Sequence, residues 1–252
     1  VRSQLVIGTD GRNSVVREQA ALSSRSFGAP RDVLWMKLSK QPGDPAWSMG
    51  HTGPKQNFIM IDRGDYWQCG YSIDKGSFDA IRRSGLEKFL LHLAEVAPFQ
   101  DDRLQEIVEW DQVKLLSIRI DRLDRWAKPG VLCIGDAAHA MSPIGGVGVN
   151  LAIQDAVAAA NALIPPLRQH RLQLKHLLSV QRRREFPTRA IQFLQIKMSQ
   201  RKPGERRAAG GSRLIARVGN SRWLPRLFGR IIGLGFRRET PRHLSNETCP
   251  PE

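Results

Sequence analysis

The sequence predicts an α/β chain, a mixture of a parallel α/β part and an α+β part, with a helical region at its C-terminal end. Three observations predict this class. The apolar run Val131–Ile134 is typical of a strand buried on both faces of a parallel sheet. Short β-like runs separated by turn residues cover 33–72, as in an antiparallel sheet. Helical periodicity covers 77–96 and most of 148–198.

The first 27 residues alternate strand, turn and helix. Gln4–Gly8 is a strand-like run that ends in a turn. Ser14 is a candidate N-cap for a helix over 14–21, with Val15 and Val16 facing inward.

The middle of the chain reads as a sheet followed by helices. Turn residues at 62–65 predict a hairpin. Apolar spacing predicts a helix over Ser77–Val96, which Gly85 divides. The predicted strands are Val33–Leu38, Gln56–Ile61, Tyr66–Ser72 and Gln112–Ile120.

The last part is helical and basic. An Ala-rich helix from about Gly148 to Leu163 is expected to end at Pro165-Pro166, and Leu172–Met198 to break or kink at Pro187. Residues 1–164 hold 19 Lys and Arg against 19 Asp and Glu, whereas 165–252 hold 20 against 5, which accounts for the whole net charge of +15.

Such a region is either a solvated basic face or a surface for an anionic partner, such as acidic lipid, nucleic acid or another subunit. It lacks interleaved aromatics and any zinc or helix-turn-helix signature, which argues against specific nucleic-acid recognition. Residues 201–213 are typical of a flexible linker. Trp223–Phe236 is amphipathic, a pattern that fits a membrane surface or packing on protein.

The cysteine and histidine content indicates the cellular compartment and argues against a metal site. Three scattered cysteines, Cys69, Cys133 and Cys249, suit neither a disulfide framework nor a zinc site. Together with a start that shows no signal-peptide pattern, they predict a cytoplasmic protein, with a membrane-peripheral location left open. His139 near Asp136 has no second His or Cys at ligand spacing, so we expect it to be packed rather than metal-bound.

The stretch from Val131 to Leu163 carries the chemistry. Asp136 directly follows the buried strand, where a carboxylate can accept hydrogen bonds from sugar or polyol hydroxyls. Later glycines allow backbone N–H groups to approach a flat or anionic ligand, and the following helix directs its positive end there. A Gly-rich turn capping a core helix is the simpler alternative. The ordered set Gly-Asp, Pro, Gly-Gly-x-Gly-x-Asn and Asp155 is more specific than such a turn.

This stretch resembles the second FAD signature of the class A flavoprotein monooxygenases, the para-hydroxybenzoate hydroxylase-like family. Leu5–Arg17 resembles that family's internal Asp-Gly motif, and Trp126 with Lys128-Pro129-Gly130 matches its approach to the strand. The two motifs lie about 125 residues apart in the family's order, and the resemblance covers roughly residues 1–190.

The resemblance implies a partial FAD-binding Rossmann-like domain with an inserted, mostly antiparallel substrate domain. The implied limits are 1–27 and 125–165 for the FAD-binding parts, 28–124 for the substrate domain and 166–252 for the basic helical region. The implied function is an NAD(P)H-dependent monooxygenase that hydroxylates an apolar or aromatic small molecule with O2 through a flavin hydroperoxide. The flavin performs the oxygen chemistry, so no catalytic side chain is identified.

The resemblance also assigns roles to single residues. Asp136 would bind the ribityl chain, Asp10 and Gly11 would lie near the pyrophosphate, and Arg17 would be an anion-side or structural contact. The residues around the isoalloxazine ring would be those of the glycine loop and the helix start. The implied cofactor-binding residues are Asp10, Gly11, Arg17, Gly135, Asp136, Pro143, Gly145, Gly146, Gly148, Val149 and Asn150. The aromatics of the substrate domain would line an apolar pocket or form the core: Trp35, Phe58, Tyr66, Trp67 and Tyr71.

The family's opening strand, Gly-x-Gly-x-x-Gly turn and helix, which hold the ADP part of FAD, do not occur here. We therefore expect a fragment, a truncated form or a chain completed by another. We expect this chain alone to bind FAD weakly or not at all, and Val131–Ile134 to have an exposed apolar edge. Two alternatives remain: a non-catalytic remnant whose basic tail binds anionic membrane or nucleic acid, and a flavin reductase or dehydrogenase of the same superfamily. A homo-oligomer is also left open.

Overall fold

The computed structural model describes residues 2–44, 49–52, 58–97, 99, 102–143, 146–199 and 236–242. The chain forms two compact units, which we call the split unit (1–28 with 119–252) and the sheet unit (29–118). The domain limits implied by the resemblance stay a prediction. The predicted linker over 201–213, nearly all of the amphipathic stretch before Phe236, and Cys249 lie outside the described residues.

Ten strands and five α-helices make up the described part of the chain. The strands are β1 (Val6–Gly8), β2 (Ser24–Ser26), β3 (Arg31–Ser39), β4 (Met49–Thr52), β5 (Phe58–Asp62), β6 (Tyr66–Asp74), β7 (Lys114–Leu116), β8 (Asp121–Leu123), β9 (Ala127–Lys128) and β10 (Val131–Cys133). The helices are α1 (Val15–Gln19), α2 (Phe78–Arg83), α3 (Leu86–Ala94), α4 (Val147–Arg168) and α5 (Leu174–Ser199).

The sheet unit is built on a five-stranded antiparallel sheet in the order β4-β5-β6-β3-β7. The hairpin predicted at 62–65 joins β5 to β6, with Asp62 opposite Trp67 and Gly64 at a φ of +93°. Gly85, also at a φ of +93°, separates α2 from α3 as predicted. Two of the predicted aromatics, Phe58 and Trp67, are fully buried in the apolar core beneath the sheet.

The long strand predicted over Gln112–Ile120 is wrong, because only Lys114–Leu116 pairs with β3. Gln112 ends a 3-10 turn instead. Further along, the backbone N–H of Ile118 donates to the Asp32 carboxylate at 2.8 Å rather than to a neighbouring strand.

The split unit contains a three-stranded sheet in the order β1-β10-β9, in which β1 and β10 run parallel. The exposed edge expected for Val131–Ile134 is therefore wrong, because β10 lies between two partners and Leu132 is fully buried. Within this sheet, exposed large apolar side chains lie on β1, where Val6 and Ile7 are 43% and 40% exposed.

Helix α1 begins where the sequence predicts. Ser14 is its N-cap, and Ser14 Oγ accepts the N–H of Arg17 at 2.9 Å. Val16 packs against the core, but Val15 is 61% exposed, so its predicted inward position is wrong.

Both proline positions expected to end or break helices lie inside them. Helix α4 continues through Pro165 and Pro166 to Arg168, so its predicted end was wrong, and α5 is continuous through Pro187. Pro165 and Pro166 fall in the last turn of α4, so their missing N–H groups remove hydrogen bonds only from the final part of the helix. By length and composition α4 could cross a membrane, but it packs against α5 and buries a carboxylate, as a core helix does.

Three glutamines of α5 hold the chain segments that precede and follow β10. Gln181 accepts the Trp126 N–H at 3.0 Å and donates to Asp124 O at 3.1 Å. Gln192 Nε2 donates to the carbonyls of Asp121 (2.7 Å) and Ala140 (3.1 Å). Gln195 bonds both backbone groups of Ser142, accepting its N–H at 3.1 Å and donating to its carbonyl at 2.9 Å. Together these amide groups bond backbone N–H and C=O groups between residues 121 and 142, on both sides of β10.

Candidate functional site

The parallel pairing of β1 and β10 brings two polar loops to one edge of the split unit's sheet. Gly8 pairs with Cys133 at the ends of these strands, so the loops that carry Asp10 and Asp136 leave the sheet side by side. A Cβ atom at Gly8 would lie 2.9 Å from Cys133 Sγ, and this close approach requires glycine. The carboxyl ends of parallel strands are where open α/β sheets bind ligands.

The first loop is organised by the carboxylate of Asp10. Ser14 Oγ donates to Asp10 Oδ1 at 2.5 Å, and the Val16 N–H donates to Asp10 Oδ2 at 3.1 Å. The hydrogen bond from Ser14, with smaller contributions from backbone N–H groups, lowers the pKa of Asp10. Gly11 has a φ of +82°, so the turn favours glycine there. Asp10 therefore stays ionised and fixes the turn and the start of α1.

The second loop is the 3-10 turn Gly135–Ala137, which presents Asp136 with 37% of its side chain exposed. Arg12 Nη2 of the first loop lies 3.9 Å from Asp136 Oδ2. Sequence reasoning missed Arg12 as a site residue. The available signal was its position directly after Asp10-Gly11, which a parallel neighbour of β10 would place opposite Asp136.

Asp155 of α4 fixes the backbone of the second loop from within the protein. Its carboxylate accepts the Gly135 N–H at 3.1 Å and the Arg184 Nε–H at 2.9 Å, and lies 2.6 Å from His139 Nε2. Asp155 and Arg184 are fully buried. Burial alone would raise the pKa of Asp155, but the charge and hydrogen bond of His139 and those of Arg184 outweigh it and lower the pKa.

His139 is a buried side chain that packs against Trp126 and contacts Asp155. Its ring lies 4.8 Å from the ring of Trp126 and is 1% exposed, as expected for a packed side chain. Within the described ranges, no group of three His, Cys, Asp or Glu side chains is placed to hold a metal ion.

Gly135 is required for two reasons. Its φ is +59°, and an added Cβ would lie 3.1 Å from Ala152 Cβ of α4. The small side chain at 152 and the absent one at 135 let the loop rest directly on the helix. This contact holds Asp136 at the surface beside the first turns of α4.

The start of α4 is not crowded by the residues that the structure describes. Gly146 caps it with a φ of +62°, and a Cβ added at Gly146 or Gly148 would meet no atom of these residues within 4 Å. Val149 is 69% exposed and Asn150 is half-buried. Pro143 is exposed before this turn, whereas Gly145 lies outside the described residues.

Arg17 is placed differently from the other candidate residues. It is buried, with Nη1 3.5 Å from Asp121 Oδ2 and Nη2 donating to the Arg12 carbonyl at 3.0 Å. Asp121, 1% exposed, is also 2.8 Å from Arg119 Nε and accepts the Ala140 N–H at 3.3 Å. Sequence reasoning missed Asp121, because nothing in the run 119–125 distinguishes the buried Asp121 from the exposed Asp124.

These groups define what the site can bind. A half-exposed carboxylate can accept hydrogen bonds from hydroxyls, a nearby guanidinium can pair with a phosphate, and an open helix N-terminus favours negative charge. The arrangement therefore suits a ligand that joins a polyol to a phosphate.

Comparisons with known proteins agree with this chemistry. The FAD binding domain family model matches residues 1–194. A 6-methylpretetramide 4-monooxygenase of Streptomyces rimosus is 33% identical over 201 residues, which are 79% of this chain and 48% of that protein. A 3-demethoxyubiquinol 3-hydroxylase of Escherichia coli is 28% identical over 167 residues, 65% of this chain and 41% of that protein. The chain thus spans about half the length of the curated relatives it matches.

Solved structures show the same fold. PqsL, a probable FAD-dependent monooxygenase from Pseudomonas aeruginosa, superposes with a TM-score of 0.65 at 24% identity, over 83% of this chain and 59% of that one. With paired loops at the sheet edge, a family match over 194 residues and this fold, the chain belongs to the FAD binding domain family.

Proposed function

We propose that this chain carries the cofactor-binding core of an NAD(P)H-dependent FAD monooxygenase that hydroxylates an aromatic small molecule with O2. The observation that carries the proposal is the convergence of Arg12 and Asp136 at the ends of two parallel strands, beside an open helix start. Relatives named for monooxygenation or hydroxylation of 6-methylpretetramide, demethoxyubiquinol and kynurenine support the reaction class and an aromatic substrate.

The residues present fit the central part of FAD. Asp136 is exposed enough to accept hydrogen bonds from the ribityl hydroxyls, and Arg12 supplies a cation for the pyrophosphate. The open space above Gly146 and Gly148 leaves room for a flat ring against the backbone. The bound FAD supplies the oxidation-reduction chemistry and the activation of oxygen.

The protein's own residues bind and orient in this proposal. Asp136 and Arg12 hold the ligand, and Asp155 keeps the loop in place by accepting the Gly135 N–H. The first turn of α4 would place the partial positive charge of the helix N-terminus beside a bound flavin. Arg17 acts indirectly, because its guanidinium holds the carbonyl of Arg12.

The non-catalytic alternative is not favoured by relatives that are enzymes. A cytoplasmic location and NAD(P)H as co-substrate remain predictions. We do not propose a membrane contact from the basic C-terminal region, most of which lies outside the described residues.

The test is the replacement Asp136→Ala, with FAD affinity and stability measured on the same samples. We expect the dissociation constant for FAD, followed by quenching of flavin fluorescence, to rise about tenfold or more, because charged hydrogen bonds to the ligand are lost. The midpoint of urea unfolding should hardly change, since Asp136 is half-exposed. Weak binding by the parent chain is sufficient, because the comparison is between two dissociation constants.

The matched control is Asp65→Ala, which removes an exposed carboxylate at the hairpin tip of the sheet unit. It should leave FAD affinity unchanged. The assignment of Asp136 is wrong if its replacement binds FAD as tightly as the parent, or if both variants weaken binding equally.

A further inference from the structure

A second concave site lies along α5 of the split unit and shares no residue with the Asp136 site. It is a groove of about 730 Å³, within the usual range of roughly 300–1,000 Å³ for ligand pockets. Three phenylalanines and three arginines dominate its walls: Phe27, Phe186, Phe193, Arg122, Arg182 and Arg189. We call it the Arg–Phe groove.

The groove has an excess of positive charge. Arg122 and Arg182 form no ion pair with any residue that the structure describes. Arg189 is 3.8 Å from Glu185, the one carboxylate among the described residues that line the wall, and the Arg189 side chain is 64% exposed. Burial, followed by repulsion from Arg189, lowers the pKa of Arg122. The half-buried cation at 122 is therefore destabilised, and an anion bound beside it would relieve this.

The apolar walls are aromatic and accessible. Phe186 and Phe193 are 56% and 58% exposed, although large apolar side chains are normally buried. They are seven residues apart on α5, as are Arg182 and Arg189, so rings and charges repeat along one face of the helix. The guanidinium of Arg122 already lies over the ring of Phe27, 4.9 Å from its centroid, which shows the geometry that stacks a flat group there.

We propose that the Arg–Phe groove binds an organic anion with a flat aromatic body and one carboxylate or sulfonate. The ring would lie among Phe27, Phe186 and Phe193, and the anionic group would pair with Arg122 and Arg189. Guanidinium groups recognise both halves of such a molecule, since they pair with carboxylates and stack on aromatic faces.

Charge and depth favour this occupant over two others. The chain's own stretch 201–235 carries nine Lys and Arg against one Glu, so like charge opposes its binding here. A flat anionic bilayer would meet the exposed rings but not Arg122, which is half-buried and donates to Gln192 Oε1 at 2.7 Å. A small molecule can enter far enough to reach that guanidinium.

The groove is also connected to the cofactor loop by one side chain. Gln192, which accepts from Arg122, donates to the carbonyls of Asp121 and Ala140, and Ala140 is four residues beyond Asp136. An anion that draws Arg122 away from Gln192 would change the contacts of this amide. The site does not depend on FAD, so its test is independent of the proposed function.

The test is a calorimetric titration of the FAD-free chain with 2-naphthoate, repeated with neutral 2-naphthamide. We expect saturable binding of one naphthoate per chain and at least tenfold weaker binding of the amide. Arg122→Gln and Arg189→Gln should each weaken naphthoate binding about tenfold, and Phe193→Ser should weaken both probes. Arg82→Gln, an exposed arginine of α2 in the sheet unit, is the matched control and should have no effect.

Urea unfolding of each variant separates loss of the site from loss of the fold. Arg189 and Phe193 are exposed enough that their replacement should leave the unfolding midpoint in place, even if Arg122→Gln lowers it. The proposal is overturned if naphthoate does not bind at millimolar concentration, if the amide binds equally well, or if the arginine variants bind like the parent. Binding to phosphatidylserine vesicles without binding of naphthoate would instead identify a membrane contact.

Discussion

The two units of this chain are held together in different ways. In the sheet unit, β3 and β6 pair residue by residue over the whole of Arg31–Ser39 and Tyr66–Asp74, above a core of large apolar side chains. In the split unit, β1, β9 and β10 have two or three residues each, and buried polar side chains complete the structure. Asp121, Asp155 and Gln192 bond backbone groups that no strand pairs with.

The contrast follows from what each unit presents to solvent. A loop that must meet a ligand cannot also be paired in a sheet, so its backbone donors need side-chain acceptors from behind. Those acceptors are buried, and a buried charge requires a partner. We therefore expect the replacement of a buried polar residue in the split unit to lower the free energy of unfolding much more than the replacement of an exposed polar residue in the sheet unit.

The largest effect should come from Asp155→Ala. Removing this carboxylate leaves Arg184 buried beside an unpaired Gly135 N–H, and should lower the free energy of unfolding by about 3–5 kcal/mol. Urea denaturation measures this directly. In the sheet unit, Asp74→Ala breaks the exposed pair with Arg31 (3.3 Å, Asp74 84% exposed) and should cost less than about 1 kcal/mol. Similar losses in the two variants would remove the distinction between the units.

An intermediate loss of stability is expected for Asp44→Asn, which disrupts the buried ion pair between Asp44 and Arg103 in the sheet unit. Asp44 accepts from both terminal nitrogens of Arg103, at 2.7 and 3.1 Å, and from Trp67 Nε1 at 2.7 Å. Burial alone would raise its pKa, but the bonds from Arg103, with those from Gln41 and Trp67, outweigh it and bring the pKa to about 2 from 3.8.

Because the folded pKa of Asp44 is depressed, its contribution is complete above about pH 4 and is lost as the pH falls through 2. A shift of this size corresponds to roughly 2 kcal/mol. The difference in stability between parent and Asp44→Asn, from urea unfolding at several pH values, should shrink between pH 4 and pH 2. A difference that stays constant over this range would show that the carboxylate charge does not stabilise the sheet unit.

The smallest expected effect is on the rate of thiol labelling, which can be measured for each unit separately. Cys69 lies in the sheet unit and Cys133 in the split unit, and burial raises their pKa values to about 12 and about 11. In a Cys249→Ser background, neither thiol should react with a disulfide reagent at pH 8 until the protein opens.

The double variant Cys249→Ser, Asp155→Ala tests whether the split unit and the sheet unit open independently. Labelling of Cys133 should accelerate more than labelling of Cys69, because the lost contacts lie in the split unit. Mass spectrometry of the labelled peptides distinguishes the two sites. Equal acceleration would mean that the two units open together.

Sequence reasoning was most accurate where a residue acts through its own backbone or its immediate neighbours. The Ser14 cap, the hairpin at 62–65 and the division at Gly85 were all predicted and are confirmed. Cofactor binding through the Gly-Asp and Asp-Gly motifs was predicted from an ordered motif, and the family match confirms FAD as the cofactor. The roles of the individual binding residues stay predictions.

What the sequence could not provide were contacts between distant segments. Pairing of β1 with β10 joins residues about 125 positions apart, and this pairing brings Arg12 to Asp136 and places β10 inside the sheet rather than at its edge. The bond from Arg184 to Asp155 likewise depends on how α5 packs on α4. The predicted end of α4 at Pro165 was wrong for a related reason. Tertiary packing can hold a helix through a residue that would end it in isolation.

The glutamines of α5 have a consequence for how the molecule assembles. Gln181, Gln192 and Gln195 supply hydrogen bonds to segments that were synthesised 53 to 71 residues earlier. During translation, the stretch on both sides of β10 has no such acceptors or donors until α5 has emerged from the ribosome and docked. We therefore expect the backbone on both sides of β10 to reach its final arrangement only after α5 has docked, whereas the antiparallel sheet can form as soon as its hairpins are complete.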